Sequence, residues 1–344
     1  MIYFDVTKTA ASSHRSGLTR VTGRLLVELG SVVVPVVWDQ AFCRVDTRKP
    51  VTLKSTDWLL TAELFSESER PGFWKFLKAK PCQLAAIFHD AIPLKLPHST
   101  WPQSVARHPE YLKMLSRFDR VWAVSCAVRD DLIGWWTWSG VGTVPPVEVL
   151  TLGGDFNGEP RRIEAGAKDL NLLCVGIVEP RKNQSFLLKV CSELWRQGIM
   201  FNLHIVGRVN PHFGQPVVEE IKHLQRRYPG LHHHAGASDS ALVGLYREAC
   251  ATAFPTLAEG CGLPLLESLW LGVPCIASDL PPLRENAAGG GCRLLPLNDQ
   301  AAWVAALKSI LTNTPELQTL QREASSRPIP SWQTTASTLA RALA

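Results

Sequence analysis

No two of the nine cysteines are close enough to form a C-x-x-C pair, which speaks against the usual zinc, iron–sulfur and thioredoxin-type chemistry. An odd count in a chain of 344 residues fits a reducing compartment. No run of 18 or more apolar residues occurs, so no segment is expected to span a membrane. The opening Met1-Ile2-Tyr3-Phe4-Asp5 lacks the basic flank and apolar stretch of a signal peptide, and a cytoplasmic setting is expected. Nothing reads G-x-G-x-x-G after the first strand, which argues against a nicotinamide-dependent oxidoreductase. Charge of one sign is scarce too. The excess of 36 Lys+Arg over 31 Asp+Glu leaves a net +5, too weak for a nucleic-acid partner but compatible with anionic ligands. No internal repeat or low-complexity tract is visible. What is present is ordinary globular composition, 46% hydrophobic and 19% charged, in a length that suggests two domains.

Short apolar strands alternate with helical patterns. In the first half Ser31–Trp38, Asp57–Leu60, Gln83–Phe88 and Arg120–Val124 read as buried strands, with helical patterns over Thr19–Leu29 and Pro109–Leu115. Gly153–Lys168 interrupts the pattern and reads as an interdomain linker. The alternation then restarts: Leu170–Val178 is a strand, Ser185–Arg196 a helix, Asn202–Val206 a strand, and Val217–Arg227 and Ser240–Ala249 are helices. Ala251–Phe254 and Pro274–Ala277 follow as strands, with helices near Pro264–Leu271 and Gln300–Leu311. This order predicts an α/β chain of two doubly wound domains facing each other across a cleft, 1–155 and 165–328, with a helix over 329–344 that packs back on the first. In such sheets ligands sit at the carboxyl ends of the strands.

Two stretches at strand ends carry chemistry. Pro255–Glu267 (PTLAEGCGLPLLE) puts Glu259 in a glycine-rich loop, starts a helix at Gly262-Leu263-Pro264 and places Glu267 in its first turn. Backbone amides over Gly260, Cys261, Gly262 and Leu263 suit an anion, and the carboxylates suit sugar hydroxyls. The same letters also fit a plain turn and a carboxylate at a helix dipole. Val175–Asn183 (VGIVEPRKN) sets Arg181 beside Lys182 before a helix, a pair able to neutralise a diphosphate or simply to face solvent.

These stretches, with HIVGR at 204–208, AGASDSALVGLY at 235–246 and FPTLAEGCGLPLLESLWLGVPCIASD at 254–279, resemble the donor-binding domain of glycosyltransferase family 4, retaining enzymes of the GT-B fold. Glu259 and Glu267 match the family's E-x7-E signature. The resemblance implies that Glu259 holds donor-sugar hydroxyls, Glu267 the nucleotide ribose, and Lys182 with Arg181 the diphosphate. Two positions depart from the pattern. Ile177 stands where many relatives have Arg, and Cys261 where many have an aromatic.

The first half resembles the family more weakly. Ile87–Pro93 (IFHDAIP) is similar to an H-D-x-I-P motif of bacterial enzymes that add mannose or related sugars to surface polysaccharides, which implies that His89 contacts the sugar near the reacting centre. Ser16–Arg20 (SGLTR) resembles the glycine loop before the first long helix. Gly17 would admit donor phosphate or acceptor, and Arg15 and Arg20 would add charge facing the cleft. The implied activity is transfer of a hexose, GDP-mannose being the favoured donor and UDP- or dTDP-sugars the others, to a glycan or lipid-linked acceptor. No cofactor is implied beyond the nucleotide sugar. No D-x-D triplet exists, so no metal clamp is expected. A sugar-nucleotide epimerase of the same fold and an inactive partner subunit are the competing readings.

Three further features have two readings each. Arg70–Lys80 (RPGFWKFLKAK) fits either peripheral contact with an anionic membrane or buried aromatics with solvated lysines. Trp135, Trp136 and Trp138 read as core rather than as an acceptor platform. His232-His233-His234 reads as structural, not metal-binding.

Overall fold

The structure is a computed structural model describing residues 1–12, 17–156, 158–162 and 170–344. Arg15 and Ser16 of the glycine loop, and residues 157 and 163–168 of the expected linker, lie outside the described residues. Two compact units are present: Met1–Gly153 with Pro330–Ala344, and Gly154–Ile329.

The first unit is built on β1 (Ile2–Asp5), β2 (Val33–Asp39), β3 (Ala41–Arg44), β4 (Trp58–Thr61), β5 (Gln83–Phe88), β6 (Arg120–Ala123) and β7 (Val147–Val149). They lie in the order β3-β2-β1-β4-β5-β6-β7, parallel except for β2 against β3. β1 and most of β5 are buried without alternation, as expected of strands covered on both faces. Helix Gly17–Leu29 buries Val21, Thr22, Leu25 and Leu29, a stripe at helical spacing. Helix Trp332–Ala342 packs against it and buries Trp332 and Leu339, so the last helix belongs to the first unit. Arg120 ties it down by donating to the Ala342 carbonyl at 2.9 Å.

Three local readings change. The helix expected from Pro109 runs over Pro102–Leu115 with Pro109 inside. Burial of His108, Tyr111, Leu112, Met114 and Leu115 offsets a proline penalty of about 3 kcal/mol. β3 was unannounced because its turn is made by Gln40 at φ 59°, with no glycine or asparagine to mark it. Of the tryptophan cluster, Trp136 is core, its indole donating to the Leu112 carbonyl at 2.8 Å, whereas Trp138 is 82% exposed.

The aromatics of Arg70–Lys80 turn inward. Phe73 and Leu77 are buried, and Phe73 and Phe76 meet Trp38 edge-on at 5.2 and 5.6 Å. Trp74 is held by Glu110 through its indole at 3.2 Å, while Lys75, Lys78 and Lys80 are exposed. The segment therefore presents lysines, not rings, to its surroundings. Among the described residues no helix is long and apolar enough to cross a membrane.

The second unit holds β8 (Asn171–Val175), β9 (Asn202–Val206), β10 (Leu231–His234), β11 (Ala251–Phe254), β12 (Cys275–Ser278) and β13 (Cys292–Leu295), in the order β10-β9-β8-β11-β12-β13 and all parallel. Helices Gln184–Arg196, Gln215–Gln225 and Gln300–Thr312 share a core with Leu172, Leu203 and Ile205. Helix Asp239–Glu248 packs with Leu173 and Val206 in a second core. The strand order reverses between β8 and β11. That reversal opens a crevice at the strands' carboxyl ends.

At the β9–β10 edge three imidazoles stack. The His204 ring lies 4.7 Å from His232 and 5.3 Å from His234, with Nδ1 of His204 3.1 Å from Nε2 of His234. Burial, then the neighbouring His232 and His234, push His204 down to about 4, and burial also lowers His233 and His234. A histidine lowered by folding binds protons more readily in the unfolded chain, so stability is lost as pH falls below the ordinary value of about 6.5. Melting temperature is expected to drop by several degrees between pH 7.5 and 5, and less steeply for His204→Gln. Parallel pH profiles for the two proteins would refute this role for the stack.

Candidate active site

The loops after β8 and β11 flank the strand-order reversal, and they carry the residues singled out from sequence. After β8 the chain forms a single turn, Pro180–Lys182, then Asn183 at φ 59° leads into helix Gln184–Arg196. After β11, Thr256 to Gly262 lead into helix Leu263–Trp270, with Gly262 as its N-cap and Pro264 in its first turn. The two loops are stitched together. Leu257 N donates to the Arg181 carbonyl at 2.8 Å, and the Asn183 amide to the Pro255 carbonyl at 3.1 Å.

Lys182 and Glu259 meet here as a largely buried ion pair, their side chains 11% and 9% exposed. Glu259 Oε1 also accepts from Thr256 Oγ1 at 2.7 Å and lies 3.5 Å from Arg181 Nη1. Burial alone would push the Glu259 carboxyl up, but Lys182, Arg181 and the Thr256 hydroxyl outweigh it and hold the group below the ordinary carboxylate value. Burial lowers Lys182, and Glu259 opposes that drop only in part. Arg181 is drawn to Glu179 at 2.7 Å and to the Ala258 carbonyl at 2.9 Å. Lys182 is thus not the solvated surface lysine that its sequence context also allowed.

Gly262 sits at φ 86°, and a Cβ there would lie 2.4 Å from Leu283 Cδ2. Only glycine fits without displacing that side chain. Cys261 is buried against Asn286, which donates to its carbonyl at 2.6 Å, and burial raises the thiol to about 12. It is a neutral packing residue of the loop. Glu267 falls at the fifth position of Leu263–Trp270, one residue beyond the first turn where it was expected, and so is poorly placed to complement the helix dipole. It is buried and accepts from the Tyr246 hydroxyl at 3.4 Å.

In the first unit the order reverses between β1 and β4, and there the sequence reading missed a cluster. Asp5, ending β1, is fully buried and accepts from Thr61 Oγ1 at 2.8 Å, Thr7 Oγ1 at 2.6 Å and Arg70 Nη1 at 2.5 Å. Arg70 Nη2 donates to Glu63 Oε2 at 2.6 Å, and its guanidinium lies 3.7 Å above the Phe65 ring. Glu63 receives the amides of Lys8 and Thr9 at 2.7 and 2.8 Å, which fixes helix Thr7–Ala11 to the loop after β4. Burial and then Asp5 raise the Glu63 carboxyl, while those amides and Arg70 pull it down.

His89 follows β5, and its Nε2 is 2.8 Å from the Ala62 carbonyl. A carbonyl only accepts, so Nε2 carries the proton and Nδ1 keeps its lone pair. Burial lowers His89 below the ordinary histidine value, only partly opposed by that carbonyl, and the ring is neutral at pH 7. Gly17 opens helix Gly17–Leu29, and among the described residues no atom lies within 4 Å of a Cβ placed there. Arg20 lies in the first turn of that helix, half-buried. Among the described residues no group of three or more His, Cys, Asp or Glu side chains is placed to hold a metal ion.

Two Rossmann-like units with largely parallel, doubly wound sheets, the second with cations and a carboxylate at its strand-order reversal, make up the GT-B fold. The family model for glycosyl transferases group 1 matches residues 156–327, half of the chain, and the chain belongs to that family. It is 27% identical over 322 residues to the serotype-specific mannosyltransferase WbdA of Escherichia coli, an alignment covering 82% of this chain and 39% of WbdA. It is 31% identical over 150 residues to the O-antigen chain mannosyltransferase RfbU of Salmonella typhimurium, covering 43% of this chain and 40% of RfbU. The chain therefore spans about two fifths of the length of these relatives. Among solved structures, HepE of Anabaena in complex with UDP and glucose superposes with a TM-score of 0.73 at 14% identity, covering 99% of this chain and 98% of HepE. At that identity the likeness is one of fold.

Proposed function

We propose that this protein is a retaining mannosyltransferase that moves the sugar of a nucleotide-diphosphate donor, GDP-mannose first among the candidates, to a hydroxyl of a glycan or lipid-linked acceptor without a metal ion. The observation that carries the reading is the largely buried Lys182–Glu259 pair at the β8/β11 reversal, beside the amides that open helix Leu263–Trp270. The mannosyltransferase names of WbdA and RfbU support the choice of sugar, and the UDP and glucose bound by HepE support a nucleotide-sugar donor.

The chemistry follows from charge. When the anomeric carbon–oxygen bond breaks, negative charge collects on the diphosphate and positive charge on the sugar ring. Lys182, Arg181 and the Gly260–Leu263 amides stabilise the first, which is the work a metal would otherwise do. Glu259 accepts from sugar hydroxyls once Lys182 turns toward phosphate, and Glu267 accepts from the ribose. The new bond forms on the face the leaving group departs from, and the acceptor hydroxyl's proton passes to a diphosphate oxygen. Neutral His89 offers Nδ1 as an acceptor to the sugar near the reacting centre. Gly17 and Arg20 serve the phosphate or acceptor from the first unit. The exposed lysines of 70–80 provide peripheral contact with an anionic, cytoplasmic membrane face where a lipid-linked acceptor resides.

The test is a thermal-shift series with GDP-mannose, UDP-glucose and a dTDP-sugar, each with EDTA present. GDP-mannose is expected to raise the melting temperature by several degrees in EDTA, since a ligand that binds only the folded state stabilises it by mass action. A shift from none of the three would overturn the donor assignment. A shift that requires magnesium or manganese would overturn metal independence alone.

A further inference from the structure

Charge at the β8/β11 reversal closes on itself. Lys182 lies on Glu259, and Arg181 lies on Glu179 and within 3.5 Å of Glu259. Two cations thus face two carboxylates. A dianionic diphosphate arriving there meets little surplus positive charge from these four groups.

The neighbouring strand supplies a cation. Pairing between β8 and β9 sets Val175 beside Val206 and continues past the strand ends, with Val178 beside Val209. Gly176 N donates to the Val206 carbonyl at 2.9 Å, Val178 N to the Arg208 carbonyl at 2.9 Å, and Asn210 N to the Val178 carbonyl at 3.0 Å. Neutral Ile177 therefore lies beside Arg208. The contact is backbone on backbone: a Cβ at Gly207 would stand 1.9 Å from the Gly176 oxygen, and Gly207 has φ 157°. On the other side of Gly176 runs the stem of Lys182, with Cδ 3.5 Å from where a Cβ would be. Lys182, Gly176, Gly207 and Arg208 form a row across the carboxyl ends of β8 and β9.

Arg208 is exposed, and among the described residues its guanidinium has no hydrogen-bond or ion-pair partner. Its loop is nonetheless fixed. Asn210 donates to Glu179 at 2.7 Å while its own side-chain oxygen takes the amides of His212 and Phe213 at 2.9 and 3.3 Å. A held backbone carrying an uncommitted guanidinium, one strand away from a buried lysine, is suited to forked recognition of phosphate oxygens.

We infer that Arg208 binds the diphosphate of the nucleotide sugar and supplies the positive charge that the Lys182–Glu259 and Arg181–Glu179 pairs cancel; this rests on the donor-site reading above. The test is calorimetric titration of the full chain with GDP, UDP, guanosine and uridine, using wild type, Arg208→Ala, Arg208→Glu and Arg208→Lys. Arg208→Ala is expected to weaken the bound nucleoside diphosphate about tenfold or more and Arg208→Glu further, with Arg208→Lys recovering part of the loss. Affinity for the uncharged nucleoside should be the same in all four proteins, and the salt dependence of diphosphate binding should be shallower in Arg208→Ala. Unchanged melting temperatures establish that the variants fold. Arg208→Ala within twofold of wild type would overturn the inference and leave the donor site standing. If wild type binds neither GDP nor UDP, the donor-site reading itself falls, and the role of Arg208 with it.

Discussion

Replacing Glu259 by glutamine is expected to lower the transfer rate by about two orders of magnitude or more while the chain still folds. Glutamine keeps an oxygen to accept from Thr256 Oγ1 and from Lys182, so the loop retains its hydrogen bonds. What it loses is the negative charge that the sugar's hydroxyls and the developing positive ring would meet. Lys182→Met tests the other half of the pair. It removes the cation proposed to meet the leaving group and also leaves a largely buried carboxylate with Arg181 3.5 Å away. The single Lys182 variant should therefore lose stability as well as rate, and adding Glu259→Gln should restore stability without restoring rate. Urea unfolding and a transfer assay on the three proteins separate the effects. Near wild-type turnover by Glu259→Gln would remove Glu259 from the site.

A second large effect is expected in the first unit, at Arg70. Removing this guanidinium leaves Asp5 and Glu63 facing each other in a buried site, and the loss of one partner from such a pair typically costs about 3–5 kcal/mol. Arg70→Met is accordingly expected to unfold at markedly lower urea than wild type at pH 8. The pH dependence has a definite sign. Burial and Asp5 already raise Glu63, and without the guanidinium it rises further. A carboxyl raised by folding gains protons in the folded state first, so the variant's deficit should shrink as pH falls from 8 to 5.5. A deficit below about 1 kcal/mol, the scale of an exposed ion pair, or one that widens with acid, would show that the cluster is not held by Arg70.

The contrast between these two sites explains what was legible in the amino-acid sequence. Lys182 and Glu259 each stand a few residues after a buried strand, and parallel order alone brings strand ends together, so local pattern was enough to find both. The cluster of Asp5, Glu63 and Arg70 joins residues up to 65 apart, and Arg70 sits in a basic-aromatic run whose letters suit a surface as well as a core. Glu267 lies one residue beyond the first turn because the backbone opens the helix at Leu263, just before the proline that marks its start in the sequence. Pro109 and Gln40 failed for the opposite reason: tertiary burial overruled a helix breaker, and a turn formed without turn residues. Arg208 belongs with neither group. It closes the HIVGR stretch that carries part of the family resemblance, but its lack of a charge partner among the described residues, beside the paired Lys182 and Arg181, is visible only in the structure.

The return of helix Trp332–Ala342 to the first unit has a consequence for the order in which the molecule is completed. Gly154–Ile329 is one unbroken stretch and leaves the ribosome with every strand of its sheet present. Of the two units, the one that begins first is closed last: helix Gly17–Leu29 waits for helix Trp332–Ala342, translated some three hundred residues later. Until then part of that helix stands open to water and to other chains, which exposes the nascent first unit to misassembly.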